Sequence, residues 1–217
     1  ALRRGAEGQH RTMLSFHDLA KQYPDGVKAL DEVTFSVPRG EFCVILGPSG
    51  AGKSTLLKTL NGLVEPSSGK VVFDGKELTR RTLRRVQKRV ATVHQQFNLV
   101  ERLDVAQNVL SGAVADATLW QVMLKWYPGA LRQKACELVA RVGLEPVHLA
   151  RRMGELSGGQ QQRVGIARAF ILDPDVILAD EPVASLDPAT SRDVLSLLHD
   201  AARERGTTVL CSLHQVE

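Results

Sequence analysis

The stretch Gly47-Pro48-Ser49-Gly50-Ala51-Gly52-Lys53-Ser54-Thr55 limits what this chain can fold into more than any other. It fits G-x-x-x-x-G-K-[ST] and stands between the apolar run 42–46 and the helix-like Leu56-Leu57-Lys58-Thr59-Leu60. Strand, glycine loop and helix in that order are the context in which the pattern carries a mechanism. Glycines let the backbone curl until successive N–H groups converge on one anion, and the helix N-terminus adds the positive end of its dipole. Lys53 is then placed to reach the β- and γ-phosphates of a nucleoside triphosphate, and the Ser54 hydroxyl to ligate Mg2+.

Composition sets outer bounds. A chain of 217 residues supports one well-formed core with a subdomain attached. No apolar run approaches the ~20 residues that span a bilayer, and the first residues lack a signal-peptide pattern. Work at a membrane would therefore pass through a partner. The net charge is +4, and the basic residues concentrate at Arg80, Arg81, Arg84, Arg85, Lys88 and Arg89. Leu83, Val86 and Val90 fall at helical spacing through that run, which reads as an amphipathic helix with a solvated basic face. No aromatic residues interleave the charges, which argues against a nucleic-acid surface. Cys43, Cys136 and Cys211 are spaced neither for a metal nor for a disulfide framework, and Cys43 and Cys211 sit in apolar strand-like runs as small buried hydrophobes of a reducing compartment.

Residues 1–12 are polar and basic and read as a flexible extension ahead of Met13. Strand-like runs follow at 14–19, 33–37, 42–46 and 70–73, the last before the turn signal Asp74-Gly75, and they predict a small antiparallel layer against the P-loop core. From about Ala91 to Gly165 the texture is helical. Leu131, Ala135, Leu138, Val139 and Val142 keep the 3.6-residue period, with Gly143 as a helix end. Trp120, Val122, Met123, Leu124, Trp126 and Tyr127 form an apolar cluster divided between core and a partner-facing surface. The run 175–179 suits a parallel strand buried on both faces, a helix spans 188–205, and 208–212 is a further buried strand.

Val176-Ile177-Leu178-Ala179-Asp180-Glu181 is a hydrophobic strand ending in two carboxylates, at the strand edge where ligands of α/β sheets bind. Asp180 can serve the Mg2+ shell, and Glu181 can orient a water behind the γ-phosphate; two adjacent acids with separate tasks suit metal-assisted phosphoryl transfer to water. In Leu156-Ser157-Gly158-Gly159-Gln160, Ser157 can cap a helix from about Gln161 to Phe170 while the glycines leave N–H groups bare. A second anion cradle on one chain is economically explained by a head-to-tail dimer, in which Ser157 and Gly159 cover the γ-phosphate held by the other copy.

The segments 47–55, 156–160, Asp180-Glu181, Ala184-Ser185-Leu186-Asp187 and Ser212-Leu213-His214 stand in the order seen in ATP-binding-cassette ATPase subunits, which the chain resembles from about Met13 onward. The resemblance implies an α/β P-loop core of mostly parallel sheet, an antiparallel β layer and a helical subdomain over about 95–165. It implies that Tyr23 stacks on adenine, that Gln95 touches Mg2+ and the attacking water, that Asp187 links the two sites across a dimer and that His214 contacts the γ-phosphate. From the residues alone, Tyr23 is equally a turn residue before Pro24-Asp25-Gly26, and His214 is equally an ordinary histidine at a strand end. Spacing does not choose between Gln95 and Gln96; the resemblance favours Gln95. His94 stands where relatives often carry an aromatic residue.

Within the family, Gln95-Gln96-Phe97-Asn98-Leu99-Val100, Asn108-Val109-Leu110-Ser111-Gly112, Gln160-Gln161-Gln162-Arg163 and Leu213-His214-Gln215-Val216 resemble phosphonate-type importers. That implies ATP and Mg2+, a second copy of the chain, transmembrane permease subunits, a periplasmic binding protein that delivers a phosphonate, phosphite or hypophosphite, and a peripheral place on the cytoplasmic face of the inner membrane. A soluble carbon–phosphorus lyase component and an importer ATPase for another solute, such as amino acids, share every ATP motif. DNA-repair and chromosome-structuring ATPases carry long coiled coils where this chain has no sustained heptads. Related subunits usually continue past the switch histidine, so the resemblance implies a chain cut short at Glu217.

Overall fold

The computed structural model describes residues 11–94, 98–114, 127–184 and 186–214. β1 (Thr12–Gln22), β2 (Lys28–Pro38), β3 (Phe42–Gly47), α1 (Lys53–Leu60), β4 (Ser68–Phe73), β5 (Lys76–Glu77), α2 (Leu83–Gln87) and β6 (Val90–His94) come first. α3 (Val105–Ser111), α4 (Gly129–Arg141), α5 (Gly158–Ala169), β7 (Val176–Asp180), α6 (Pro188–Arg205) and β8 (Thr208–His214) complete the chain. The strands form two sheets, an antiparallel one in the order β2-β1-β4-β5 and a parallel one in the order β3-β8-β7-β6.

The two sheets face α1 from either side. Met13, Leu14, Phe16 and Leu19 of β1 and Val71 and Phe73 of β4 close on Leu56, Leu57 and Leu60 of α1, with Val176, Leu178 and Leu210 of the parallel sheet beyond. The alternate residues Ile177, Ala179, Val209 and Cys211 turn to a second core, filled by Val105 and Val109 of α3, Leu138 and Val139 of α4, Val164 and Ile166 of α5, and Val194 and Leu198 of α6. β7 and β8 are thus buried on both faces, which accounts for their continuous apolar character. Away from the P-loop, Asp74 takes Arg89 at 2.9 Å and Arg39 at 2.9 Å, while Asp175 takes Arg89 at 2.6 Å and Arg39 at 3.3 Å. This network, which Arg11 joins at 3.3 Å from Asp74, ties the β4–β5 turn to the start of β7, and the Arg89 guanidinium, then Arg39, holds the Asp74 carboxyl below the usual carboxylate range.

Several expected boundaries move. Residues 90–94 form an edge strand rather than the beginning of helical texture, because pairing of Val90 with Val176 and Val93 with Ala179 adds a strand to the parallel sheet. The basic helix is consequently short, Leu83–Gln87, and Val90 leaves its apolar stripe for the sheet. The helix after Ser157 begins at Gly158 instead of Gln161, since Ser157 accepts from Gln160 N and the Gln160 side chain returns the bond to Ser157 N, a reciprocal capping box. The helix Pro188–Arg205 stands as read, and Gly143, at φ 74°, follows the end of α4 as expected. Trp120, Val122, Met123, Leu124 and Trp126 lie outside the described residues; Tyr127 packs at the margin of the helical core.

Candidate functional site

β3 delivers the chain into the loop 47–52, and Gly52 turns it into α1 with a left-handed backbone at φ 83°. A side chain there would also collide with the neighbouring strand, because an added Cβ would fall 2.0 Å from the Ala29 carbonyl oxygen. Glycine is the residue that meets both demands. Lys53 is the first helical residue and is nearly buried, at 6% exposure. Its ammonium arches back over the loop and donates to the carbonyls of Gly47 at 2.7 Å and Pro48 at 2.9 Å.

The acids come from β7. Asp180 Oδ1 accepts from Ser54 Oγ at 2.8 Å and from Ser212 Oγ at 2.9 Å, so three separate segments meet on one oxygen. The parallel register creates this junction, with Asp180 opposite Ser212 and Gly47 opposite His214. Glu181 then leaves the sheet with a left-handed backbone at φ 47°, an uncommon state for a residue with a Cβ. Its N–H is held by Ser212, through Oγ at 3.0 Å and the carbonyl at 3.2 Å. Glu181 Oε1 lies 3.1 Å from His214 Nε2 and 3.6 Å from Lys53 Nζ. Carboxylate, imidazole and ammonium therefore converge at the mouth of the loop.

Tyr23 begins the turn, taking Val27 O with its N–H and Gly26 N–H with its carbonyl, and its hydroxyl lies 3.3 Å from Thr55 Oγ1. The turn role and a place beside the P-loop helix are thus both present. His94 sits opposite Asp180 on β6, and burial first, then the positive charges of Arg168 and Lys58, hold it below the ordinary histidine range against the pull of Asp180. Gln95 lies outside the described residues.

Ser157, Gly158, Gly159 and Gln160 do not join this cluster. Their described hydrogen bonds stay local, within the capping box and from Gln160 Nε2 to His148 Nε2 at 3.3 Å. Gly158 and Gly159 lie against Leu186 and Thr190 at the entry to α6. Asp187 caps that helix, its Oδ1 accepting from Ala189 N at 3.1 Å and Thr190 N at 3.0 Å. The Thr190 side-chain hydrogen bond, then the backbone N–H donors, lower its carboxyl.

Sequence reasoning gave Ser212 no task, although it supports both Asp180 and Glu181. The usable signal is parallel register: a hydroxyl two residues before His214 on one strand faces the first carboxylate of its neighbour.

A family model described as ABC transporter matches residues 30–184. The chain is 54% identical over 205 residues to the phosphonates import ATP-binding protein PhnC of Hydrogenovibrio crunogenus, covering 94% of this chain and 75% of that protein. It is 50% identical over 205 residues to the protein of the same name from Hyphomonas neptunium, covering 94% and 78%. Among solved structures, an ATP-binding cassette captured as a dimer in a post-hydrolysis state with ADP and Pi aligns with a TM-score of 0.78 at 34% identity, over 94% of this chain and 88% of that one. CbiO1 of Clostridium perfringens, part of the ABC transporter complex cbiONQ, aligns with a TM-score of 0.80 at 31% identity, over 94% and 79%.

Proposed function

The chain belongs to the ABC transporter family of ATP-binding, ATP-hydrolysing subunits, and we propose that it energises import of a phosphonate or a close phosphorus oxyanion. Two copies arranged head to tail enclose two ATP molecules, and their closure drives permease subunits loaded by a periplasmic binding protein. The subunit sits peripherally at the cytoplasmic face of the membrane; among the described residues no helix is long and apolar enough to cross one. The cargo assignment rests on the relatives named for phosphonate import.

The observation that carries the hydrolytic part is the junction of Lys53, Glu181 and His214 beside the Ser54–Asp180 pair. The P-loop N–H groups and Lys53 bind the phosphates. Phosphate oxygens compete for the Lys53 ammonium and release Glu181 from it. Glu181 Oε1 then accepts from the water that attacks the γ-phosphorus as the bond to the bridging β–γ oxygen breaks. His214 keeps the Glu181 carboxylate aimed and meets the γ-phosphate oxygens. Gln95 is assigned to the same water and to Mg2+.

A hydroxyl and a carboxylate oxygen are the hard donors that suit Mg2+, and Ser54 Oγ and Asp180 Oδ1 are the donors to hold it. Among the described residues no cluster of three His, Cys, Asp or Glu could hold a metal alone, so Ser54 and Asp180 would hold the ion together with the nucleotide. When bound, the ion supplies charge neutralisation on the phosphates. Gly158 and Gly159 supply bare N–H groups, and Ser157 and Gln160 their polar side chains, to the nucleotide held by the other copy, and Asp187 lies at the seam between copies.

Mixed dimers test the shared site. Gly158 has ordinary space above it, a Cβ meeting Leu186 at 3.6 Å, and an acid in the first helical turn suits the dipole. Gly158→Asp should therefore fold but repel phosphate. Lys53→Ala and Gly158→Asp copies should each be inactive alone, and an equimolar mixture should regain up to about a quarter of wild-type turnover through one intact site per mixed dimer. No regain would defeat the shared site. For the cargo, ATPase activity of the transporter in vesicles should rise with a phosphonate-loaded binding protein; a rise with amino acids instead would reassign it.

A further inference from the structure

Gln162 is wholly buried, at 0% exposure, and neither Oε1 nor Nε2 of its side chain has a hydrogen-bond partner among the described residues. An unpaired buried polar group carries a desolvation cost that an apolar side chain of the same shape avoids. An orphaned amide in the interior calls for an account beyond packing. One is that it has a partner in another state of the molecule.

Its position on α5 says where that partner lies. At about 100° per residue, Gln162 projects between Gly158 and Gly159, one turn further along the helix. Those two glycines touch Leu186 and Thr190. Helical side chains lean toward the helix N-terminus, so the amide of Gln162 is directed at the segment that runs from Glu181 into α6. Of the two carbonyls there that Ser191 Oγ reaches, Val183 O also takes Leu186 N–H at 3.1 Å, whereas the described contact to Leu186 O is the Ser191 hydroxyl at 3.4 Å, near the long limit for such a donor.

We propose that Gln162 is a positioning residue for hydrolysis: as two copies close over nucleotide, its side-chain N–H donates to the Leu186 carbonyl. α5 of a copy and the loop that follows its Glu181 then move as one body. Engagement of Ser157 and Gly159 at the partner's nucleotide is thereby reported to the catalytic carboxylate of the same copy that offers them. This inference rests on the hydrolytic reading above.

Gln162→Met keeps length and volume while removing hydrogen bonding. In the whole chain, its melting temperature without nucleotide should equal or exceed wild type, and its affinity for ATP should stay within about twofold, since Lys53 and the loop are untouched. Its kcat should fall roughly three- to tenfold, the size of one lost neutral hydrogen bond. In a Glu181→Gln background, ATP should slow hydrogen exchange of the 183–190 backbone, and Gln162→Met should remove that protection. A lower melting temperature without nucleotide would show the amide already paired at rest, and unchanged kcat would show it idle; either overturns the proposal. Gln162→Leu serves as the second variant, and failure of both to fold counts as the first of these outcomes. A wild type without turnover would sink the hydrolytic reading and this inference together, whereas normal wild-type turnover matched by the variant sinks this inference alone.

Discussion

The P-loop and the Ser157 cap both stand at helix N-termini, the two places proposed to cradle phosphate, yet the protein furnishes them differently. Around the P-loop, groups from β3, α1, β7 and β8 are bonded to one another: Lys53 to two carbonyls, Ser54 and Ser212 to Asp180, and His214 to Glu181. Around Ser157, polar groups bond within a single turn and to His148, and none of these bonds reaches Lys53, Asp180 or Glu181. Under the proposed function, the first cradle carries the lysine that binds the phosphates and the acids that serve Mg2+ and the attacking water. The second holds donors without chemistry. Such a division makes sense when the two halves of a site reside on different copies.

The sharpest way to break this contrast is at Lys53. Lys53→Ala removes the charge-assisted contacts to two phosphates and should weaken ATP binding on the order of a hundredfold or more, read by fluorescent-nucleotide titration. Retained affinity would mean that the loop is not the phosphate cradle. Next is Glu181→Gln, which should bind ATP normally and lose roughly 10²–10⁴-fold in kcat, with the copies trapped as an ATP-bound dimer on size-exclusion chromatography; near-normal turnover would remove Glu181 from its role. Ser212→Ala loosens both acids without touching nucleotide. It should lower kcat about tenfold at unchanged affinity, the loss of roughly one buried hydrogen bond.

Smaller effects probe the other half. Ser157→Ala removes an N-cap worth about 1 kcal/mol and should lower the melting temperature by roughly 2–4 °C. A larger loss in turnover than in stability would mark its second task at the partner's nucleotide; equal losses would leave Ser157 a cap alone. The mildest test concerns thiols. Burial, then the nearby Asp180 and Cys43, push Cys211 up to about 12, whereas Cys136 is exposed on α4. Thiolate is the reactive form and its share grows tenfold per pH unit below the pKa, so at pH 8 a maleimide should modify Cys136 readily and spare Cys211 until the chain unfolds. Rapid modification of Cys211 in folded protein would mean that the sheet beneath the acids opens.

What the amino-acid order reveals follows the range of the interactions involved. The P-loop is contiguous, so its residues announce each other, and the five ordered motifs located the acids, the cap and His214. Ser212 was invisible in role because its importance arises from register between β7 and β8, strands separated by the whole of α6. β6 was submerged in a helical stretch, since five residues at a sheet edge carry little periodicity; Val90, Thr92 and Val93, β-branched in close order, were the available hint. The capping box of Ser157 and Gln160 is legible in principle from S-x-x-Q, yet two glycines discount helical propensity and push the expected start to Gln161, three residues past the observed Gly158. Burial of Gln162 depends on what lies across from α5, and no local pattern records that.

β7 presents alternate residues to two different cores and ends in Asp180 and Glu181. A strand clamped between two independently packed interiors has no soft direction in which to yield. Enlarging Ala179 or trimming Leu178 would not be absorbed by a small slide, because relief on one side is compression on the other. The chemistry at its tip should therefore tolerate wide variation on the helical exterior, where a transporter subunit meets changing companions, and very little along these five residues.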